Sequence, residues 1–249
     1  MLEARNLTKR FGELVATDDV TVEFGREDGE TTFIVGPNGA GKTTLVNLLT
    51  GLLEPDSGSI VLDGTDIGGL TPDERVHEGL VRSFQVVHVF EEMSVRENLR
   101  TAVLSKRGLT RSAFSFSDEH EGVEATVDGL LDRFRLDGRG RVVAETLPHG
   151  DRKLLDVAMA FGLDPEYLLL DEPTAGVSAE ETEHVIETIV DVSRARAVTT
   201  VAIEHDMDIV TEYADRVLAL HQGGVLGQGG PSILKTDDRL RRVLLGVDE

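Results

Sequence analysis

Residues 31–49 read TTFIVGPNGAGKTTLVNLL, and this stretch decides the fold of the 249-residue chain. Its first five residues are apolar or β-branched, which predicts a buried strand, and its last six are typical of a helix. Between them lies the pattern G-x-x-x-x-G-K-[S/T]. Its glycines let backbone N–H groups converge on an anion, and the helix N-terminus adds its dipole. A strand, a glycine-rich turn and a helix in this order predict a phosphate-binding loop.

The side chains of this loop predict a nucleotide site that includes a metal ion. Lys42 is expected to reach the β- and γ-phosphates, and the Thr43 hydroxyl is expected to bind Mg²⁺. The predicted nucleotide-binding residues here are Gly36, Pro37, Asn38, Gly39, Ala40, Gly41, Lys42, Thr43 and Thr44.

An acidic pair follows a second predicted strand at residues 167–170. Asp171 lies at the C-terminal end of that strand, where ligands of parallel sheets gather, and is expected to hold the Mg²⁺ shell. Glu172 projects differently and is predicted to polarise an attacking water as general base. An apolar run ending in Asp-Glu is weak evidence alone, but together with the phosphate-binding loop it predicts nucleoside triphosphate hydrolysis.

The rest of the chain predicts an α/β core with a helical insert. Residues 198–203 and 217–220 form further short apolar runs, typical of buried parallel strands. Residues 20–24 and 59–62 alternate apolar with polar side chains, as in a half-exposed antiparallel sheet. Helical spacing appears at 123–134 and 154–161, and the polar stretch 107–121 is predicted to be a surface excursion.

The charge balance excludes one class of function. There are 46 acidic and 25 basic residues, and the net charge is −21. A field of this sign repels phosphate backbones, so the chain is not expected to bind nucleic acid. Only five of the 25 basic residues are Lys. This Lys-poor, acidic composition indicates a salt-rich cytoplasm, although an ordinary acidic soluble protein is the alternative.

Cysteine is absent, which excludes disulfides, thiolate metal sites and cysteine nucleophiles. No apolar run approaches the roughly 18 residues that cross a bilayer, and the N-terminus lacks the apolar core of a signal peptide. We therefore expect a cytoplasmic protein, either free or attached to a partner.

Further motifs follow in the order of one known family. Ser83-Phe84-Gln85 matches a Q-loop, and Glu204-His205-Asp206 places a switch histidine after the third buried strand. With these motifs the chain resembles the ATP-binding cassette family over nearly its whole length, and in particular the ATPase subunits of ABC importers. The resemblance implies an α/β fold: a RecA-like P-loop NTPase core with an antiparallel β-subdomain at 1–84 and 163–249, and a helical signature subdomain at 85–162.

The resemblance also implies roles for single residues. Gln85 would contact Mg²⁺ and the attacking water, His205 would lie near the γ-phosphate, and Phe11 would stack on adenine. The expected cofactors are ATP and Mg²⁺. The predicted catalytic residues are Glu172, His205 and Gln85, and the predicted metal ligands are Thr43, Gln85 and Asp171.

The signature segment Leu147-Pro148-His149-Gly150-Asp151 departs from the family's usual L-S-G-G-Q. In the family this loop binds the γ-phosphate held by the opposite subunit. Pro148 offers neither a hydroxyl nor an N–H, whereas Gly150 keeps its N–H. His149 is therefore the candidate for the missing contact, and Asp151 is expected to be the N-cap of the following helix. The D-loop likewise has Ser178 where the family often has aspartate.

The same segments resemble importers of branched-chain amino acids, with importers of urea or short amides as the alternative. The implied partners are a second ATPase subunit, identical or homologous, membrane permease subunits and, indirectly, an extracellular solute-binding protein. The permease would hold the chain at the inner face of the membrane.

Two other classes of function remain open at this point. The first is a soluble ABC protein of translation, DNA repair or cofactor assembly. Translation members carry two cassettes and repair members long coiled coils, so the single-cassette iron–sulfur assembly type fits best. The second is a degenerate regulatory cassette, suggested by Pro148 and Asp151 but opposed by the complete set of catalytic motifs.

Overall fold

The computed structural model describes residues 1–83, 89–107 and 117–245. The strands are β1 (Leu2–Phe11), β2 (Leu14–Phe24), β3 (Thr31–Val35), β4 (Ser57–Leu62), β5 (Thr65–Asp66), β6 (Leu80–Ser83), β7 (Tyr167–Asp171), β8 (Thr199–Ile203), β9 (Arg216–His221) and β10 (Gly224–Gly229). The helices are α1 (Lys42–Leu49), α2 (Pro72–His77), α3 (Val95–Lys106), α4 (Ser117–Arg133), α5 (His149–Gly162), α6 (Ala179–Ala195), α7 (Met207–Tyr213), α8 (Ile233–Thr236) and α9 (Asp238–Leu245).

The central sheet has the strand order β10-β9-β3-β8-β7-β6, and only β10 pairs with its neighbour in antiparallel fashion. Every residue of β3, β7 and β8 is buried, which explains their unbroken apolar character. The four buried strands predicted from the sequence are confirmed. Because parallel strands end at one edge of the sheet, the C-terminal ends of β3, β6, β7 and β8 lie along that edge.

The second sheet is antiparallel and has the order β2-β1-β4-β5. Its alternating pattern puts the apolar side chains on one face, and Leu2 pairs with both Phe24 and Leu62. That face shares a core with Leu45 and Leu48 of α1. The predicted antiparallel sheet is therefore confirmed, and it covers the helix that follows the phosphate-binding loop.

Helices α3, α4 and α5 form a separate layer against the opposite side of the central sheet. Phe134 and Phe161 meet edge-on within it, with ring centroids 5.3 Å apart. The predicted helices at 123–134 and 154–161 are confirmed, and both begin earlier than expected. Of the predicted surface excursion at 107–121, the part from residue 117 belongs to α4, and residues 108–116 lie outside the described residues. The subdomain boundaries at 84 and 162 stay a prediction.

The start of α5 corrects one expectation. The helix begins at His149 with Pro148 as its N-cap, so Asp151 is the third helical residue and not the cap. Proline is well suited to a helix start because its fixed φ is already near helical values and it has no N–H to satisfy.

In the part of the chain that the structure describes, no helix combines the length and the apolar character needed to cross a membrane.

Candidate functional site

The phosphate-binding loop is shaped by two glycines. Gly36 and Gly41 have φ values of +153° and +102°. A Cβ atom would lie 2.3 Å from the Leu220 carbonyl oxygen at Gly36 and 2.3 Å from the Ala16 carbonyl oxygen at Gly41. Only glycine fits both positions, because the loop is closely packed between β9 and β2.

The N-terminus of α1 is open to an anion. No side chain caps it, and its first turn contains no acidic residue. Uncapped N–H groups and the positive end of the helix dipole together form an anion-binding site. Thr43, in this first turn, is exposed.

The side chain of Lys42 contacts the backbone of the phosphate-binding loop. Its ammonium donates to the carbonyl oxygens of Gly36 (2.6 Å) and Pro37 (3.1 Å). Burial lowers the pKa of Lys42, and the negative charges of Glu172 and Asp171 oppose that shift. The cation therefore lies between the loop and the acidic pair at the end of β7.

Asp171 is buried, with 5% of its surface exposed. Its Oδ2 accepts a hydrogen bond from Arg82 Nη2 at 2.9 Å. Arg82 also donates through Nη1 to Asn47 Oδ1 of α1, at 2.5 Å. The strand carrying Asp171 and the helix of the phosphate-binding loop are thus joined through one guanidinium group.

Glu172 and His205 meet above the loop. The distance from Glu172 Oε1 to His205 Nε2 is 3.0 Å, and their side chains are 28% and 44% exposed. Glu172 has φ +50°, a conformation that non-glycine residues rarely adopt. Its N–H donates to the carbonyl oxygen of Ile203, the last residue of β8, which ties the turn after β7 to the neighbouring strand.

The buried carboxylate of Glu204 holds the segments that carry Glu172 and His205. Glu204 is 3% exposed, and its carboxylate accepts from Thr174 Oγ1 at 2.6 Å and from the His205 N–H at 3.0 Å. The segments that follow β7 and β8 are therefore held together by a buried carboxylate.

A cleft of about 320 Å³ contains most of the predicted residues. Phe11, 48% exposed at the end of β1, lies at its edge, with Lys9 Nζ 5.8 Å from the ring centroid. The lining residues are Phe11, Leu14, Ala16, Asn38, Gly39, Ala40, Gly41, Lys42, Thr43, Thr44, Glu172 and His205. Gln85 lies outside the described residues.

The signature residues do not join this cleft within one chain, as far as its described lining goes. His149 is exposed. Gly150 is buried against α6, and a Cβ atom on it would lie 3.2 Å from Glu181 Oε1. Asp151 Oδ2 lies 2.7 Å from Arg139 Nη1, so its negative charge is paired.

Sequence reasoning missed several residues of the site. Arg82, Asn47 and Thr174 belong to no motif, and Glu204 was noted only as the neighbour of His205. Lys153 of α5 is also buried, and burial lowers its pKa although Asp156 and Asp171 oppose the shift. Two signals in the sequence could have identified such residues: Arg82 lies in a strand, and Lys153 lies on the apolar face of a helix. Charged side chains at buried positions require partners, so both positions indicate a polar site nearby.

A strand–loop–helix phosphate site and a Glu–His pair at one cleft, together with a buried aspartate at the end of β7, define a P-loop nucleoside triphosphatase. Comparison with known proteins gives the family. A family model described as ABC transporter matches residues 20–175, and the chain belongs to this family.

Similar proteins cover nearly the whole chain. BraF of Pseudomonas aeruginosa, a high-affinity branched-chain amino acid transport ATP-binding protein, is 34% identical over 99% of this chain and 98% of its own length. LivG of Escherichia coli, described in the same words, is 34% identical over 99% and 98%. The probable LivG of Archaeoglobus fulgidus is 32% identical over 100% and 96%.

Solved structures agree with the fold. The ADP conformation of MJ1267, an ATP-binding cassette of an ABC transporter, superposes with a TM-score of 0.85 at 29% identity, covering 99% of each chain. A nucleotide-free cassette gives 0.82 at 29% identity, covering 100% of this chain and 99% of the other. The predicted ABC ATPase fold is confirmed, the chain is an ATPase, and its cofactors are ATP and Mg²⁺. Cassettes of this class dimerise and work with membrane permease subunits.

The residues fit both cofactors. The uncapped N-terminus of α1 and the buried Lys42 suit a triphosphate. Mg²⁺ is usually held by one or two carboxylates together with substrate phosphates, so Asp171 with the Thr43 hydroxyl would supply oxygen ligands of the expected kind.

Proposed function

We propose that this chain is the ATP-hydrolysing subunit of an importer for a small solute, most directly a branched-chain amino acid. The observation that carries the ATPase part is the meeting of the phosphate-binding loop, Lys42, Glu172 and His205 at one cleft. The solute is suggested by the names of the similar proteins, several of which are branched-chain amino acid transport ATP-binding proteins.

The residues predicted to bind the nucleotide or take part in its hydrolysis each have a role in this proposal. Residues 36–44 bind the phosphates through backbone N–H groups and Lys42, and Phe11 stacks on the adenine. Glu172 accepts a proton from the attacking water, and His205 fixes the direction of the Glu172 carboxylate. Thr43, Asp171 and Gln85 would hold Mg²⁺, and the ion would neutralise charge on the phosphates.

The proposed working unit is a dimer of this chain, or of this chain with a homologous cassette. His149 and Gly150 lie at the start of α5, away from the cleft of their own chain. In the dimer these residues face the γ-phosphate bound to the partner, so that the positive end of the α5 dipole points at the phosphate. The signature loop is thus a contact between subunits.

The permease subunits are proposed to dock at a surface where apolar side chains remain exposed. Phe90, Met93 and Val143 are 49%, 40% and 38% exposed. Asn98, fully buried, holds the segment that carries Phe90 and Met93 by donating to the carbonyl oxygens of Phe90 and Ser94, both at 3.0 Å. The chain would then lie on the cytoplasmic face of the membrane, and an extracellular solute-binding protein would act through the permease.

Two substitutions test the ATPase mechanism. Lys42→Ala should weaken affinity for a fluorescent ATP analogue by about 10- to 100-fold, since a charged hydrogen bond contributes about 1.5–3 kcal/mol. Glu172→Gln should keep that affinity while phosphate release falls by roughly 10²- to 10⁴-fold, the usual effect of a general base. Glu172→Gln should also accumulate an ATP-bound dimer on a sizing column.

The control is Lys235→Ala, which removes an exposed lysine of α8. Normal affinity in Lys42→Ala, or unchanged turnover in Glu172→Gln, would refute the assigned roles. The solute is tested separately, in vesicles that contain the permeases: ATP-driven uptake of leucine should exceed uptake of urea and should vanish with Lys42→Ala.

A further inference from the structure

A buried ion pair connects β6 to the acidic end of β7. Arg82 Nη2 lies 2.9 Å from Asp171 Oδ2, and the two side chains are 8% and 7% exposed. A charge-assisted hydrogen bond in such surroundings is short, directional and about twice as strong as a neutral one. It therefore holds the Asp171 carboxylate in one orientation.

The same guanidinium is anchored at its other end. Arg82 Nη1 donates to Asn47 Oδ1 of α1 at 2.5 Å. Arginine can make both contacts because its donors form a rigid planar fork. Arg82 therefore fixes the position of Asp171 relative to α1, the helix that begins in the phosphate-binding loop.

Strand geometry explains why Arg82 faces this site. Successive side chains of a strand point to opposite faces. Ser83, the next residue, hydrogen-bonds to Asp156 of α5 in the helical layer, so Arg82 faces α1. Arg82 pairs with Leu169 in the β6–β7 register, two residues before Asp171.

We propose that Arg82 is a positioning residue, one that orients Asp171 for Mg²⁺ without itself touching metal or nucleotide. Asn47 fixes Arg82 in this role. The inference rests on the proposed function of Asp171. Loss of a partner that orients a metal-binding side chain typically weakens metal affinity by about 10- to 100-fold, and this is the size of effect we expect.

The test uses two variants that keep every charge of the site. Arg82→Lys preserves the positive charge but replaces the fork by one ammonium group, which cannot span both acceptors. Asn47→Ala removes the anchor of Arg82 at a half-buried position. Because no charge changes, an altered Mg²⁺ dependence reports orientation and not electrostatic attraction.

The measurement is the Kd of a fluorescent ATP analogue, first in EDTA and then across a Mg²⁺ titration. In EDTA both variants should bind within about 2-fold of the unmodified protein. The Mg²⁺ concentration that gives half of the metal-dependent change should rise by about 10-fold in both variants. The same rise should appear in the Mg²⁺ dependence of ATP hydrolysis.

Arg216→Lys is the matched control. Arg216 is a buried arginine, with 8% of the residue exposed, and it also donates to two acceptors, the Glu23 carbonyl oxygen and Gln228 Oε1, in β2 and β10. Its replacement should leave the Mg²⁺ titration unchanged. If melting curves show that Arg82→Lys does not fold, Asn47→Ala decides the question.

Two outcomes would overturn the inference. One is an equal loss of affinity in EDTA and in Mg²⁺, which indicates a purely structural pair, and the other is an unchanged Mg²⁺ midpoint. An unmodified protein that binds no ATP with or without Mg²⁺ would refute the proposed function itself. Normal ATP hydrolysis with an unaffected Mg²⁺ midpoint in the variants would refute only the role of Arg82.

Discussion

At the scale of single residues, Glu172 shows how backbone conformation serves the site. Its φ of +50° places it in a region that costs a non-glycine residue about 1–3 kcal/mol. The N–H bond to Ile203 and the contact with His205 hold it there. Glu172 lines the cleft, whereas the Asp171 carboxylate accepts a hydrogen bond from Arg82, so adjacent acidic residues can take different roles.

His149 gives a prediction at this scale. It is exposed at the start of α5, where it can replace the serine contact that Pro148 lacks. His149→Ala should lower ATP hydrolysis by about 10-fold, since one charged hydrogen bond contributes about 1.5–3 kcal/mol. ATP affinity should not change, because His149 lies outside the cleft of its own chain.

The control for this prediction is His77→Ala, which removes an exposed histidine at the end of α2. Steady-state phosphate release and ATP affinity are measured for both variants. Full turnover in His149→Ala would make His149 an ordinary loop residue. A substitution at Gly150 would be less suitable for this test, because a side chain there would first meet Glu181 of the same chain.

At the scale of elements, the two ends of α1 differ. No side chain caps its N-terminus, whereas its C-terminus is capped by Arg75 of α2, which is 2% exposed. Arg75 donates to the carbonyl oxygens of Leu48 (2.8 Å) and Leu49 (2.6 Å). A cation at this end also complements the helix dipole.

Arg75→Met should therefore destabilise the protein by about 3 kcal/mol, since it leaves buried carbonyl groups without donors, each at a cost of about 1–3 kcal/mol. Urea unfolding is the measurement. Arg26→Met, which removes an arginine 53% exposed and paired with Glu23, should change stability by less than about 1 kcal/mol. Equal effects of the two substitutions would contradict the capping role.

At the scale of the whole molecule, the net charge of −21 affects the stability of the fold. Repulsion among the acidic side chains opposes the compact state, and salt weakens this repulsion. The melting temperature should rise between about 0.1 M and 1 M NaCl, as the Debye length falls from about 10 Å to about 3 Å.

Sucrose at equal osmolality is the control, because it stabilises proteins without screening charge. A melting temperature that is flat or falls with NaCl would remove the interpretation of the composition as an adaptation to salt. The assignment to the ABC family does not depend on that outcome.

How much the sequence alone determines follows from the range of the interactions involved. The residue pattern of the phosphate-binding loop, its strand and its helix lies within residues 31–49, so one stretch of sequence was enough to predict them. Buried strands were found because parallel strands covered on both faces must be apolar throughout. Asp171 was found because strand ends collect ligands.

The tertiary structure alone decided which side chains meet. Arg82 and Asp171 are 89 residues apart, and Glu172 and His205 are 33 apart. Both contacts follow from the strand order β3-β8-β7-β6 and its register. Apolar periodicity shows which face of a strand is buried but not which strand lies beside it. The motifs could therefore be predicted from local sequence, whereas the partners that orient them depend on contacts that only the folded chain brings together.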